Sequence, residues 1–174
     1  QCFAWKTQSL SARSITKESL FEVRLFLNNA IDGGLFVFEK FFDPSWREVQ
    51  KLLEEDETKR SLVMICTAEG DPCGFLWLTA YDNEHRADAS LWISEKACEL
   101  ITPFAANGFL KAALKGFNMR KLSLFVLSGN GRLEKILEDA GAILEGVLPE
   151  AAFLKGGFRN VSVYACLREK LEKR

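Results

Sequence analysis

An α/β domain built on a mixed, mostly antiparallel central sheet with flanking helices is what this sequence predicts, and three patterns predict it. Segments with apolar residues at helical spacing alternate with short segments of strand length. Three strand-like segments between 61 and 94 follow one another across tight turns, which makes neighbours antiparallel. A strand–helix–strand step then spans 86–127, and such a step makes a parallel pair through a crossover. At 174 residues, 48% hydrophobic and 27% charged, the chain is long enough for one sizeable core and ordinary for a globular protein. Residues 1–168 are read as one domain and 169–174 as a charged, frayed C-terminal tail.

The elements follow in order. The first ten residues carry a weak strand pattern. From Thr16, Leu20, Val23, Leu27 and Ile31 recur at helical spacing, and Asp32-Gly33-Gly34 ends that helix, because glycine accepts the left-handed conformation needed after a helix. An aromatic loop (Phe36, Phe38, Phe41, Phe42) leads to Asp43-Pro44-Ser45-Trp46, where Ser45 and Glu48 can form a capping box for a second helix with Val49, Leu52 and Leu53 on its apolar stripe. Ser61–Ala68, Cys73–Tyr81 and Arg86–Ser94 read as strands, separated by Glu69-Gly70-Asp71-Pro72 and Asp82-Asn83-Glu84. In the third, Ala87, Ala89, Leu91 and Ile93 alternate with Asp88, Ser90 and Trp92.

A helix is expected over roughly 97–116, with Thr102-Pro103 either its N-cap and first position or a kink within it. Lys121–Leu127 is apolar on nearly both faces and so reads as a central strand. Ser128-Gly129-Asn130-Gly131 leads into a helix lined by Leu133, Ile136, Leu137 and Ala140 and stopped by Gly141. The last two strands are placed at 142–148 and 160–167, with Gly156-Gly157 as the turn between them.

Composition excludes several functions. A net charge of -1 gives no field to gather nucleic acid or an anionic membrane. No apolar run approaches the roughly 20 residues of a bilayer span, and Gln1–Lys6 lacks the charged and apolar regions of a secretory signal, so a cytoplasmic protein is expected. The five cysteines (Cys2, Cys66, Cys73, Cys98, Cys166) form no C-x-x-C pair and accompany one histidine, so no metal site is expected and reduced core thiols fit best.

Residues 117–168 carry a resemblance. Phe117-Asn118-Met119-Arg120-Lys121-Leu122, Asn130 after the strand, Gly141-Ala142-Ile143-Leu144-Glu145-Gly146 and the closing stretch through Tyr164 are similar to the GNAT superfamily of acyl-CoA-dependent N-acetyltransferases. The nearest branch is the one that acetylates ribosomal-protein N-termini and related amines. Element order extends the likeness to about residue 16. The resemblance implies two neighbouring strands that splay apart, pantetheine in the gap, and pyrophosphate on backbone N–H groups at the following helix N-terminus, where the dipole favours anions. It implies that Trp92, Ile93 and Ser94 face pantetheine, that Lys96, Ala97, Cys98, Glu99 and Leu100 face pyrophosphate, and that Asn130 and Arg132 meet the CoA arm. Acetyl-CoA would be the cosubstrate, and a protein N-terminus or small-molecule amine the acceptor.

The chain departs from that family in two places. The stretch Glu95-Lys96-Ala97-Cys98-Glu99-Leu100-Ile101 has no glycine where the family loop is glycine-rich, and Glu95 and Glu99 would repel a phosphate. The position of the family's tyrosine, acid for the leaving thiolate, is Leu137, and a serine found in some members is replaced by Leu133.

Amine acetylation needs a neutral amine against the thioester carbonyl and a base or ordered water to take its proton. Glu84, His85 and Asp88 are the candidates from the central strands. His85 is the chain's one histidine, the residue type that changes charge near neutral pH. Against these readings stand a solvated turn for Glu84 and His85 and a wet strand face for Asp88. The aromatic loop with Trp46 would wall an acceptor pocket, form a homodimer face, or simply be core. Cys98 reads as a core thiol, with no histidine near it in sequence to activate it. Two function classes follow: an acetyl-CoA-dependent N-acetyltransferase working by direct attack in a ternary complex, and a catalytically degenerate GNAT-fold binding module. An unrelated α/β binding domain is a third reading. It would show no splay between the strands ending near 94 and starting near 121.

Overall fold

The computed structural model describes residues 3–33, 45–55, 59–80 and 85–173. The aromatic-loop residues Phe36, Phe38, Phe41 and Phe42, the Asp82-Asn83-Glu84 turn and Cys2 lie outside the described residues.

An eight-stranded sheet in the order β1-β2-β3-β4-β5-β6-β8-β7 organises the fold. Its strands are β1 (Ala4–Lys6), β2 (Leu10–Ile15), β3 (Arg60–Thr67), β4 (Pro72–Ala80), β5 (Arg86–Ile93), β6 (Lys121–Leu127), β7 (Ile143–Leu154) and β8 (Gly157–Leu167). Every neighbouring pair is antiparallel except β5–β6, the pair made by the predicted crossover.

Both faces of the sheet are covered. α5 (Pro103–Gly116) and α6 (Gly131–Ala140) enclose the larger core, where Val63, Ile65, Leu76, Leu78, Ala87, Ala89, Leu122 and Leu124 meet Leu110, Leu114, Leu133 and Leu137. On the other face α1 (Lys17–Leu20), α2 (Arg24–Gly33) and α3 (Trp46–Glu55) pack on Leu62, Met64, Phe75 and Trp77. Alternate residues of one strand thus enter different cores, which is the two-residue period of a strand covered on both sides. Among the described residues the second layer is not continuous. A separate, smaller cluster of Phe125, Ala152, Leu154 and Val161 lies over β6, β7 and β8.

Five expectations change. The weak N-terminal strand is a hairpin, β1 with β2, in which Trp5 pairs with Ala12. The helix expected from Thr16 breaks after one turn: Thr16 and Ser19 form a capping box for α1, and the Arg24 N–H turns back to the Phe21 carbonyl at 3.3 Å before α2 begins. Periodicity continues across that break, so it was invisible to pattern alone. The helix expected over 97–116 is two helices, a single turn α4 (Glu95–Cys98) and then α5, with Thr102 as N-cap and Pro103 in its first turn.

The final hairpin is longer than 142–148 and 160–167. Pro149 interrupts the alternation, but the structure absorbs it as a bulge on the edge strand. Glu150 N–H is held by the Asn160 side chain at 2.9 Å, and pairing resumes at Ala152–Arg159. Lys155 and Gly156, both at positive φ, make the two-residue turn. The charged tail is not frayed: Arg168–Glu172 forms α7, and Leu171 is fully buried in the larger core.

Candidate active site

β5 and β6 part company half-way along. Their parallel pairing runs from Arg86–Lys121 to Ser90–Phe125 and stops there, although β5 continues to Ile93 and β6 to Leu127. β5 stays with β4, pairing through Gly74–Ile93, and the Ser94 N–H reaches the Cys73 carbonyl at 2.9 Å. Gly74 permits that approach: a Cβ there would sit 2.9 Å from the Trp92 carbonyl oxygen. β6 meanwhile follows β8, with Val126 opposite Ser162 and Leu127 opposite Val161. The V between the two strands is a cleft of about 410 Å³ lined by Leu91, Trp92, Ile93, Ser94, Glu95, Leu127, Ser128, Asn130 and Leu133. Beyond Ser90, an extended ligand can take the ladder positions that β6 has left.

The walls of the cleft are rigid for identifiable reasons. Ser94 caps α4, accepting from the Ala97 N–H at 3.2 Å, and Asn130 caps α6, accepting from the Leu133 N–H at 3.2 Å. Arg132 Nε donates to the Cys98 carbonyl at 3.1 Å, tying α4 to the start of α6. Ser128 Oγ lies 2.8 Å from Ser162 Oγ, and Ser162, fully buried, donates to Glu134 at 2.8 Å. Sequence reasoning missed this chain of hydroxyls, because strand alternation predicts only which face a serine takes, not what it meets.

The residues expected to face pyrophosphate divide between core and surface. Of the residues expected to face pyrophosphate, Ala97 and Cys98 are buried in the larger core, while Glu95, Lys96, Glu99 and Leu100 are exposed. One helical turn offers little aligned dipole; the long helix after β5 is α5. Its own first turn is already capped. Pro103 has no N–H, the Ala105 N–H bonds the Thr102 hydroxyl at 3.1 Å, and the Ala106 N–H bonds the Thr102 carbonyl at 2.9 Å. Phe104, 88% exposed, supplies the remaining N–H of that turn.

Leu137 is buried and faces a small apolar cavity with Leu91, Ile93 and Leu133, so no proton donor reaches the cleft from that position. Burial also favours the protonated form of the four described thiols. It pushes Cys73 and Cys166 up to about 12 and raises Cys66 and Cys98, even though Asn130 and Arg132 pull Cys98 the other way.

The candidate bases separate. Glu84 lies outside the described residues. His85 sits before β5 at the far end of that strand from the cleft, with about 20 Å of strand between it and Leu91. Its φ of 49° and the 3.0 Å contact of its Nδ1 with the Asn118 carbonyl oxygen make it a turn residue bracing the start of β6. Asp88 is better placed. It is half-buried, opposite Ser123 of β6, two residues before the strands part, and on the face that carries α1–α3. On that same face Trp77 and Ser90 are fully buried cross-strand neighbours, and among the described residues neither Trp77 Nε1 nor Ser90 Oγ has a hydrogen-bond partner. Among the described residues, no cluster of His, Cys, Asp and Glu is grouped to hold a metal ion, and no helix is long and apolar enough to cross a membrane.

No protein-family model matches the chain, and no curated protein matches it in sequence. Solved structures do match in shape. Spermidine N-acetyltransferase SpeG of Vibrio cholerae, solved with CoA and spermine, superimposes with a TM-score of 0.67 at 19% identity, over 95% of this chain and 99% of its own. A dodecameric form of the same protein gives 0.66 at 20% identity, over 95% and 96%. Ribosomal-protein-S5-alanine acetyltransferase of Vibrio fischeri gives 0.67 at 11% identity, over 97% and 98%. The chain therefore has the GNAT acetyltransferase fold along nearly its whole length, as residues 117–168 led us to expect.

Proposed function

We propose that this protein is an acetyl-CoA-dependent N-acetyltransferase that acts on an amine by direct attack in a ternary complex. The observation that carries the proposal is the splay: β5 and β6 separate at Ser90–Phe125 and leave a polar-rimmed cleft between two otherwise central strands. A continuous sheet would be better hydrogen-bonded, so the missing pairs are best explained by a ligand that supplies them. The pantetheine arm of acetyl-CoA has the shape and the amides to do so, along Leu91–Ser94 and past Asn130. GNAT-fold neighbours that act on amines, one of them solved with CoA, support the same reading.

In this scheme the thioester carbonyl lies where the strands part. The amine nitrogen bonds to that carbon, the carbon–sulfur bond breaks, and CoA leaves as the thiolate. The proton lost by the amine passes to Asp88, directly or through water, because Asp88 lies on that face two residues before the point of separation. With leucine at position 137, the thiolate takes its proton from water.

A second reading has its own observation. The self-capped α5 terminus and the buried Ala97 and Cys98 leave few N–H groups for pyrophosphate, which favours a GNAT-fold module that binds without catalysis. Calorimetric titration of acetyl-CoA and desulfo-CoA separates the two. Micromolar binding, about -8 kcal/mol, followed by thiol release with an amine supports the transferase; no binding at millimolar cosubstrate rejects it.

A further inference from the structure

Beside the cleft lies a second space that the transfer scheme leaves unused. It is the small apolar cavity that Leu137 faces, about 30 Å³ between β5, α5 and α6. Leu91 and Ile93 bound it from β5, Leu133 and Leu137 from α6, and the short side chains of Ala105 and Ala106 leave it room on the α5 side. Every lining side chain among the described residues is apolar or aromatic, so the space suits hydrocarbon rather than water. An empty void in a packed core forfeits contacts, and a phenylalanine in place of Ile136, which also lines it, would fill it.

Its position gives it a use. Leu91, Ile93 and Leu133 line the cleft as well as the cavity, so the two spaces adjoin at these three residues. Ile93 is only half-buried, so solvent reaches the boundary between them. Alternation along β5 turns Ser90 towards Trp77 and the α1–α3 face, and Leu91 towards the core under α5 and α6. A thioester held where the strands part, at Ser90, therefore has the cavity beside the next residue and on the opposite face from Asp88. The amine comes from the Asp88 face, and the tail of the acyl group leaves by the other.

We infer that this cavity receives the tail of an acyl group longer than acetyl, so that the donors extend to short-chain acyl-CoA thioesters. The inference rests on the transferase reading and names the range of its donors. One water-sized group needs about 10–15 Å³ of such space, so the cavity takes about two carbons beyond acetyl, which is a butyryl group. The bonds made and broken stay the same. The amine nitrogen bonds to the acyl carbon, the carbon–sulfur bond breaks, the amine proton passes to Asp88, and the thiolate takes a proton from water. Only the group carried across is longer.

The test begins with non-reactive thioethers in calorimetric titration. S-butyl-CoA should bind about 15-fold more tightly than S-ethyl-CoA, which is what burial of two further methylenes contributes. S-octyl-CoA, too long for the cavity, should gain nothing more. Ile136→Phe fills the cavity away from the cleft, so it should abolish the butyl gain and leave S-ethyl-CoA affinity and acetyl-CoA turnover unchanged. Ile136→Ala enlarges it and should extend the gain to S-hexyl-CoA, a second readout that stands if the phenylalanine variant does not fold. Thiol release is then read with acetyl-CoA and butyryl-CoA, using alaninamide and butylamine as acceptors; kcat/KM for butyryl-CoA should equal or exceed that for acetyl-CoA. Equal binding of the ethyl and butyl thioethers, or a butyl gain that survives Ile136→Phe, would overturn the inference. The two readings fail separately. Thiol release from acetyl-CoA with butyryl-CoA inert removes the acyl pocket and leaves the transferase standing. A butyl gain abolished by Ile136→Phe, without thiol release from either thioester, keeps the pocket and removes the transferase.

Discussion

Uncapping α5 should tighten the grip on CoA. In the native chain the first turn of α5 spends its donors on itself: the Ala105 N–H goes to the Thr102 hydroxyl at 3.1 Å, and Pro103 has none. The double variant Thr102→Gly/Pro103→Ala releases one N–H and creates another at a helix start that already favours anions. A hydrogen bond to a charged group contributes about 1.5–3 kcal/mol, so one new bond to pyrophosphate should lower Kd roughly 10- to 150-fold. The cost is small. Thr→Gly at an N-cap loses a few tenths of a kcal/mol, and releasing the proline adds about 0.4–1 kcal/mol, for a Tm fall of about 2–5 °C in a chain of this size. The assay is calorimetric titration of desulfo-CoA against pantetheine, which has the same arm without the pyrophosphate. Desulfo-CoA should bind more tightly to the variant and pantetheine equally to both proteins. An unchanged desulfo-CoA affinity with Tm within that range, or a matching gain for pantetheine, would refute the idea that α5 seats the anion.

Other outcomes follow from the same geometry. If Asp88 takes the amine proton, Asp88→Asn should reduce kcat by about 10²–10⁴-fold with little change in desulfo-CoA affinity; a kcat within threefold of the parent would assign the proton to water instead. Stability should fall in alkaline solution. Cys73 and Cys166 are raised from 9.0 to about 12 and Tyr164 from 10.0 to about 12 in the folded chain, so above pH 9 the unfolded chain loses protons that the folded one keeps. Their contribution is complete below pH 9 and is lost as pH rises towards 12, so Tm measured from pH 8 to 11 should decline; a flat profile would show these groups to be exposed. At pH 8, iodoacetamide should label Cys73 and Cys166 only after unfolding, as read by peptide mapping. Leu171→Ala should cost about 2–5 kcal/mol in chemical denaturation, because Leu171 is fully buried where a frayed tail would be exposed.

The sequence by itself determined the layered sheet, the crossover and the face that each strand residue takes, because these depend on local period and turn chemistry. Alternation placed Asp88, Ser90 and Trp92 on one face of β5, and Ser45 with Glu48 announced α3 through the box now seen at 2.8 and 3.4 Å. Asn130 was found at the start of α6, where its side chain turned out to cap the helix. What needed the tertiary structure was everything that depends on who a residue meets. Only the fold could show that Thr102-Pro103 begins a separate helix after the single turn of α4, since both readings share the same local pattern. Only the fold could move His85 away from the cleft and join Ser128, Ser162 and Glu134, residues distant in sequence. Leu171 looked like part of a charged tail until the end of β8 delivered it to the core. Trp77 and Ser90 make the same point: an indole and a hydroxyl in apolar strands are unremarkable in sequence, and only packing reveals that nothing among the described residues answers them, because a hydrogen-bond partner is a fact of three dimensions.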